Sequence, residues 1–116
     1  MFIYEVNLDV DEEIKFGFAG WLTDHIQAML TNDGFKVAYW FFRRPEDEGL
    51  SDTTKTLWTI QYVVEDRKSL DAYLSGKAEA MRKETLDRFG DKFAATRRVL
   101  NLLSAAGQPF DEIQGE

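Results

Sequence analysis

The sequence predicts an α+β domain in which four antiparallel strands carry two helices on one face. Three observations predict it. Residues 2–10, 35–44, 56–64 and 93–103 alternate side-chain character with the period of two that a strand imposes. Residues 11–31 and 66–90 instead repeat apolar side chains at helical spacing. The resulting order is β-α-β-β-α-β. Right-handed crossovers then put both helices on one side of the sheet, with the first and third strands in its middle.

Each element has its own signal. The first strand sorts Phe2, Tyr4, Val6, Leu8 and Val10 onto one parity and Ile3, Glu5, Asn7 and Asp9 onto the other. Asp11 is placed to cap the first helix, with Glu12 and Glu13 at the positive end of its dipole. That helix lines up Ile14, Phe18, Trp21, Leu22, Ile26 and Met29. Gly17 and Gly20 weaken it by ~1 kcal/mol each relative to Ala and are expected to permit a close approach. Asn32-Asp33-Gly34 ends it.

The second strand holds aromatics on both parities, Phe35, Tyr39 and Phe41 against Trp40 and Phe42. A strand apolar on both faces is covered on both. In so short a chain the second cover is another subunit or a lid. A polar, acidic connection over 45–54 leads to the third strand, with Trp58, Ile60 and Tyr62 on one parity and Leu57, Thr59, Gln61 and Val63 on the other. Asp66 caps the second helix, which uses Leu70, Tyr73, Leu74, Met81 and Leu86. Gly76 falls mid-helix and is expected to mark a break or a kink, and Gly90 is placed for a left-handed C-terminal cap. The domain is assigned to residues 1–104 and a weakly patterned tail to 105–116.

Composition excludes several classes. A chain of 116 residues forms one domain and buries roughly two thirds of its unfolded surface. Its net charge of −7 repels phosphate, so neither nucleic acid nor an anionic membrane is expected as a partner. There is no cysteine, hence no disulfide and no thiolate chemistry. With His25 as the only histidine, no multi-histidine metal site arises within one chain, and no metal or cofactor is called for. No apolar run approaches the ~20 residues that span a bilayer. Glu5 and Asp9 stand where a signal peptide would be basic and then apolar, so a cytoplasmic location is expected. Glu12-Glu13 and Glu46-Asp47-Glu48 read as solvated faces whose spacing does not fit a calcium loop. Arg43-Arg44 and Arg97-Arg98 are too few for a nucleic-acid stripe.

The element order is that of the ferredoxin-like arrangement, which leaves one sheet face bare. Two such faces packed together would bury the aromatic second strand and form a dimeric α+β barrel, so a homodimer through the open face is expected. Particular residues carry a family resemblance as well. They are Tyr4-Glu5-Val6-Asn7-Leu8, Trp21 with His25-Ile26, Leu70-Asp71-Ala72-Tyr73-Leu74, Arg88-Phe89-Gly90-Asp91-Lys92-Phe93, and Arg97-Arg98-Val99-Leu100. Over residues 1–103 the chain resembles a family of short bacterial proteins catalogued as a domain of unknown function, within the dimeric α+β barrel superfamily. That superfamily also holds the antibiotic-biosynthesis-type monooxygenases. The resemblance implies the fold and no particular reaction. Lys77 departs from the histidine that related sequences carry there, and the loop from 46 to 54 is longer.

If the helices cover Tyr4, Val6 and Leu8, then Glu5, Asn7 and Asp9 point into the space between two facing sheets. Thr59 and Gln61 share that face. The second strand contributes either Trp40 and Phe42 or Tyr39 and Phe41, and the fourth contributes Arg97 or Arg98. The candidate ligand site is therefore an inter-sheet cleft of Glu5, Asn7, Trp40, Thr59, Gln61 and Arg97, aromatic with a few convergent polar groups. The competing reading is that these groups hydrogen-bond each other across the dimer and hold the barrel in register. His25 lies on the buried stripe of the first helix and is the candidate acid or base. Asn7 with Trp58 or Trp40 also resembles the interior of barrel oxygenases, including those that degrade haem. The haem-ligating histidine of the second helix is missing, which disfavours haem.

The leading reading is a small-molecule-binding homodimer. A cofactor-independent monooxygenase and an acidic protein-interaction adaptor are the alternatives.

Overall fold

The computed structural model describes residues 1–50 and 52–107. The chain runs β1 (Phe2–Val10), a 3-10 turn at Glu12–Ile14, α1 (Lys15–Met29), β2 (Phe35–Arg43), a second such turn at Pro45–Glu48, β3 (Thr56–Val64), α2 (Arg67–Ser75), α3 (Ala78–Phe89) and β4 (Phe93–Asn101). The strands form one sheet in the order β2-β3-β1-β4, and every neighbouring pair is antiparallel. This is the ferredoxin-like arrangement, with β1 and β3 in the centre. Part of the tail, residues 108–116, lies outside the described residues. Among those described, no helix is long and apolar enough to cross a membrane.

Local chemistry explains where the helices start and stop. The Asp66 carboxylate accepts from the Ser69 backbone N–H at 2.8 Å, satisfying one of the free donors at the start of α2. Asp11 does not cap as expected: its Oδ1 accepts from Lys55 Nζ at 2.6 Å, tying the entrance of α1 to the start of β3. The second helix is two helices, because the chain leaves helical geometry at Gly76 (φ −108°, ψ −82°). Gly90 takes a φ of 61° with ψ −134°, outside the left-handed helical basin, and its N–H still bonds the Leu86 carbonyl at 2.8 Å. Gly17 and Gly20 do not serve a close approach, since a Cβ at either would meet nothing within 4 Å.

The core lies between the helices and the sheet. Phe18 is fully buried, its ring centroid 4.6 Å from Phe89, 5.4 Å from Trp21 and Phe93, and 6.2 Å from Trp58. One ring thereby joins α1, α3, β3 and β4. Leu22, Met29, Leu70, Ile60 and Val64 complete the packed layer. Among the described residues, no helix lies on the other sheet face.

Candidate functional site

Register sorts every strand residue onto one face or the other, because residues directly opposite in an antiparallel pair share a face. From β4 to β2, the open face carries the rows Arg98–Glu5–Gln61–Tyr39, Thr96–Asn7–Thr59–Phe41 and Ala94–Asp9–Leu57–Arg43. The helix face carries Val99–Tyr4–Tyr62–Ala38, Arg97–Val6–Ile60–Trp40 and Ala95–Leu8–Trp58–Phe42.

Four of the six residues expected in the inter-sheet cleft are thus together on the open face: Glu5, Asn7, Thr59 and Gln61. Trp40 and Arg97 are not. Both belong to the helix face, where Trp40 meets Trp58 edge-on at 5.2 Å. For Trp40 the cause is a register shift between Phe35 and Val37, a one-residue irregularity that moves the following residues to the opposite face. Strict alternation from the buried Phe35 would put Tyr39 and Phe41 toward the helices; the shift puts Ala38, Trp40 and Phe42 there instead. For Arg97 the signal was in the sequence, since Phe93, Ala95 and Val99 share its parity and face the core. The same geometry separates Asn7 from Trp58 and Trp40, which stand on opposite sides of the sheet. Among the described residues, no Asn–Trp pair of the oxygenase kind forms within one chain.

The open-face polar groups bond one another. Arg98 Nε donates to Glu5 Oε2, and one of its terminal nitrogens reaches Oε1 at 3.4 Å. Glu5 also accepts from Gln61 at 2.9 Å and from Asn7 at 3.1 Å, while Thr59 donates to Asn7 Oδ1 at 2.6 Å. Glu5 is only 3% exposed although no helix covers this face among the described residues. Its burial pushes the carboxyl pKa up, but the hydrogen bonds of Arg98, Gln61 and Asn7 and the Arg98 charge outweigh that and hold it below the ordinary value. At the end of the face Arg43 bridges Glu48 (2.7 Å) and Asp9 (3.4 Å). The trough over Glu5, Asn7, Asp9, Arg43, Thr59 and Arg98 holds about 480 Å3, but it is a shallow, polar depression whose floor is already hydrogen-bonded. Two carboxylates of the acidic connection are likewise engaged, Glu48 by Arg43 and Glu46 by Arg44.

A second concavity lies on the other side, between the helices and the sheet. It is partly open, holds about 50 Å3 and is lined by Tyr4, Val6, Phe18, Leu22, Met29, Ile60, Tyr62 and Tyr73, among others, with His25, Met81, Arg82, Thr85 and Arg97 also in its lining. Tyr4, Tyr62 and Tyr73 are 3%, 2% and 6% exposed, and the Tyr4 ring stands 6.2 Å from Tyr62 and 5.8 Å from Tyr73. None of the three hydroxyls has a hydrogen-bond partner among the described residues. Nor is any of them fully occluded, a condition that among the described residues falls to Arg43 Nε. Burial raises the pKa of Tyr62 and Tyr73, the latter to about 12, with neighbouring tyrosines adding to the rise. Both are neutral donors and acceptors at physiological pH.

His25 does line this cavity. Its ring stacks on Trp21, 4.6 Å between centroids and 13° between planes. Burial lowers its pKa; the Glu84 charge opposes that and the Arg97 charge reinforces it. His25 lies on the stripe that its spacing predicts, whereas the pattern places Tyr4 and Tyr62 on strands and Tyr73 on a helix and says nothing of their hydroxyls. The unspent hydroxyls are a property of the packing, and no periodicity reports them.

A family model described as a domain of unknown function (DUF4286) matches residues 1–103. The chain belongs to this family. Among solved structures it is similar to a candidate antibiotic biosynthesis monooxygenase from Deinococcus radiodurans, with TM-score 0.70 and 14% identity over 94% of this chain and 99% of that one. It is also similar to a protein of unknown function from Nitrosomonas europaea, with TM-score 0.60 and 15% identity over 93% and 94% of the two chains. A de novo designed protein shares the fold as well, with TM-score 0.57 and 9% identity over 87% and 97%. At these identities the likeness concerns the fold. That a designed chain shares it underlines that function must be argued from the site.

Proposed function

We propose that this protein is a homodimer that binds a small organic molecule in the cavity between its helices and its sheet, and pairs through the opposite sheet face. The observation that carries the binding reading is the trio Tyr4, Tyr62 and Tyr73, buried residues that line the cavity and whose hydroxyls have no protein partner among the described residues. Polar groups inside a fold are nearly always hydrogen-bonded, to protein or to water. Three without a protein partner around one cavity are available to a polar guest. The open-face network supports pairing instead: its groups are mutually satisfied, and Phe41 stands 41% exposed beside them. A cytoplasmic home belongs to the same reading, and fractionation of the host cell tests it.

A second reading is cofactor-independent oxygenation with His25 as the base, because His25 lines the same cavity. The fold shared with the candidate monooxygenase of Deinococcus radiodurans favours the same direction. Size weighs against a ring-bearing substrate. A cavity that takes benzene measures about 150 Å3, three times the room here.

The binding reading is tested by nuclear magnetic resonance titration with a panel of short aliphatic acids, amides and alcohols. At least one is expected to shift Tyr73 and His25 together, and filling the cavity by Val6→Leu is expected to abolish the shift. A panel that leaves both residues unmoved would remove the cavity from consideration as a binding site.

A further inference from the structure

We infer that the guest of this cavity is a short-chain carboxylate with a second polar oxygen, its carboxylate held by Arg82 and Arg97 and its other oxygen meeting the tyrosine hydroxyls. The inference rests on the cavity reading above and specifies its ligand.

Charge comes first. The chain is acidic, and most of its arginines have found carboxylates: Arg43 pairs with Glu48 and Asp9, Arg44 with Glu46, Arg67 with Asp71, and Arg98 with Glu5. Arg82 on α3 and Arg97 on β4 have none among the described residues, yet both line the same cavity and both act electrostatically on Tyr73. Two unpaired guanidinium groups beside one concavity of a protein with net charge −7 form a local reversal of sign. Guanidinium presents parallel N–H donors that match a carboxylate, and a pair of them on different elements recognises it from two sides. Glu84 is the carboxylate with electrostatic reach to His25 at this end of the cavity. It forms no ion pair with either arginine among the described residues.

Size comes second. Each water-sized group needs about 10–15 Å3 of such space, so the 50 Å3 of the concavity takes roughly four. A three-carbon chain ending in a hydroxyl or carbonyl fits that room when its carboxylate stays with the arginines.

Polarity comes third. The walls contributed by Val6, Leu22, Met29 and Ile60 suit methylene groups, whereas Tyr4, Tyr62 and Tyr73 bring hydroxyls to a terminal oxygen. A purely aliphatic acid would leave those hydroxyls unsatisfied.

The test compares 4-hydroxybutyrate with its neutral amide, 4-hydroxybutyramide, and with butyrate. Titration is followed by calorimetry and by the resonances of Tyr73 and His25. The acid is expected to bind roughly tenfold or more tightly than the amide, as charge-assisted bonds to guanidinium imply, and more tightly than butyrate. The preference over the amide is expected to fall to within about twofold in the Arg82→Gln/Arg97→Gln double variant and to survive in Arg88→Gln. Both arginines of the double variant are solvent-exposed, so the fold is retained. Equal binding of acid and amide at the cavity would overturn the carboxylate inference while leaving the cavity reading intact. A preference unchanged by the double variant would overturn it too. Binding of neither probe would overturn the carboxylate inference, and the cavity reading falls with it only if the wider panel also leaves Tyr73 and His25 unmoved.

Discussion

Arg98 and Glu5 stand opposite each other across the β4–β1 register and form an ion pair on the sheet face that carries no helix among the described residues. Their exposures differ sharply: the Arg98 side chain is 64% exposed and the Glu5 side chain 4%. Arg98 acts as a lid over a carboxylate that Gln61 and Asn7 also hold.

The asymmetry predicts a pH effect. The Glu5 carboxyl is held below its ordinary value in the fold, so its contribution to stability is present above the unfolded pKa of about 4.3 and is lost as pH falls through the folded value. Replacing Arg98 with Met should leave the carboxylate under-satisfied, lower stability near neutrality, and shrink the loss on acidification. Urea unfolding midpoints between pH 3 and 7 check both effects. An unchanged acid limb in Arg98→Met would mean that Arg98 does not set the Glu5 pKa.

His25 titrates with the opposite charge but the same slope. Its folded pKa is lowered, chiefly by burial. The unfolded chain therefore takes up a proton first, and stability falls as pH drops below the unfolded value of about 6.5. His25→Gln should remove that part of the slope. Arg97→Gln should move the His25 midpoint upward, because the Arg97 charge opposes protonation. Proton chemical shifts of the imidazole follow it directly.

Glycine-to-alanine changes should have opposite signs in two places. A Cβ at Gly17 or Gly20 meets nothing within 4 Å, so alanine there should stabilise α1 by up to about 1 kcal/mol. Gly34 has a φ of 81°, and a Cβ there would fall 2.3 Å from Ser69 Oγ. Its carbonyl also accepts from Glu65 N–H at 2.8 Å, which ties the turn to the approach to α2. Gly34→Ala should cost about 1–3 kcal/mol. Thermal melts of the three variants decide the matter.

Much of the architecture was legible. Alternation in 56–64 gave β3 its observed bounds, and Asp66 announced the start of α2 through a side chain that caps in the expected way. The faces of β2 were not legible, because its aromatics occupy both parities and the shift after Phe35 leaves no mark in composition. Arg97 and Arg98 are adjacent, so the residue type alone could not choose between them; their apolar neighbours on β4 could. Asp11 misled because a good capping residue found a better partner in Lys55, a contact 44 positions away that local pattern does not encode. The cavity was illegible for a related reason. Whether tyrosines fill space or surround it depends on how α1, α2 and α3 settle on the sheet.

Pairing through the open face predicts a dimer by sedimentation at micromolar concentration. Phe41→Lys places a charge where Phe41 is 41% exposed on that face and should shift the protein to a monomer without unfolding it. A wild-type chain that sediments as a stable monomer would contradict the pairing, and the aromatic β2 would then need another cover.

A guest is expected on the helix side of the sheet rather than on its open face, and backbone and side-chain shift mapping with 4-hydroxybutyrate distinguishes the two. Perturbations should cluster on Tyr4, Tyr62, Tyr73, His25 and Arg97, with Glu5, Asn7, Thr59 and Gln61 unmoved. Perturbations centred on Glu5, Asn7 and Gln61 would contradict it and return the site to the open face.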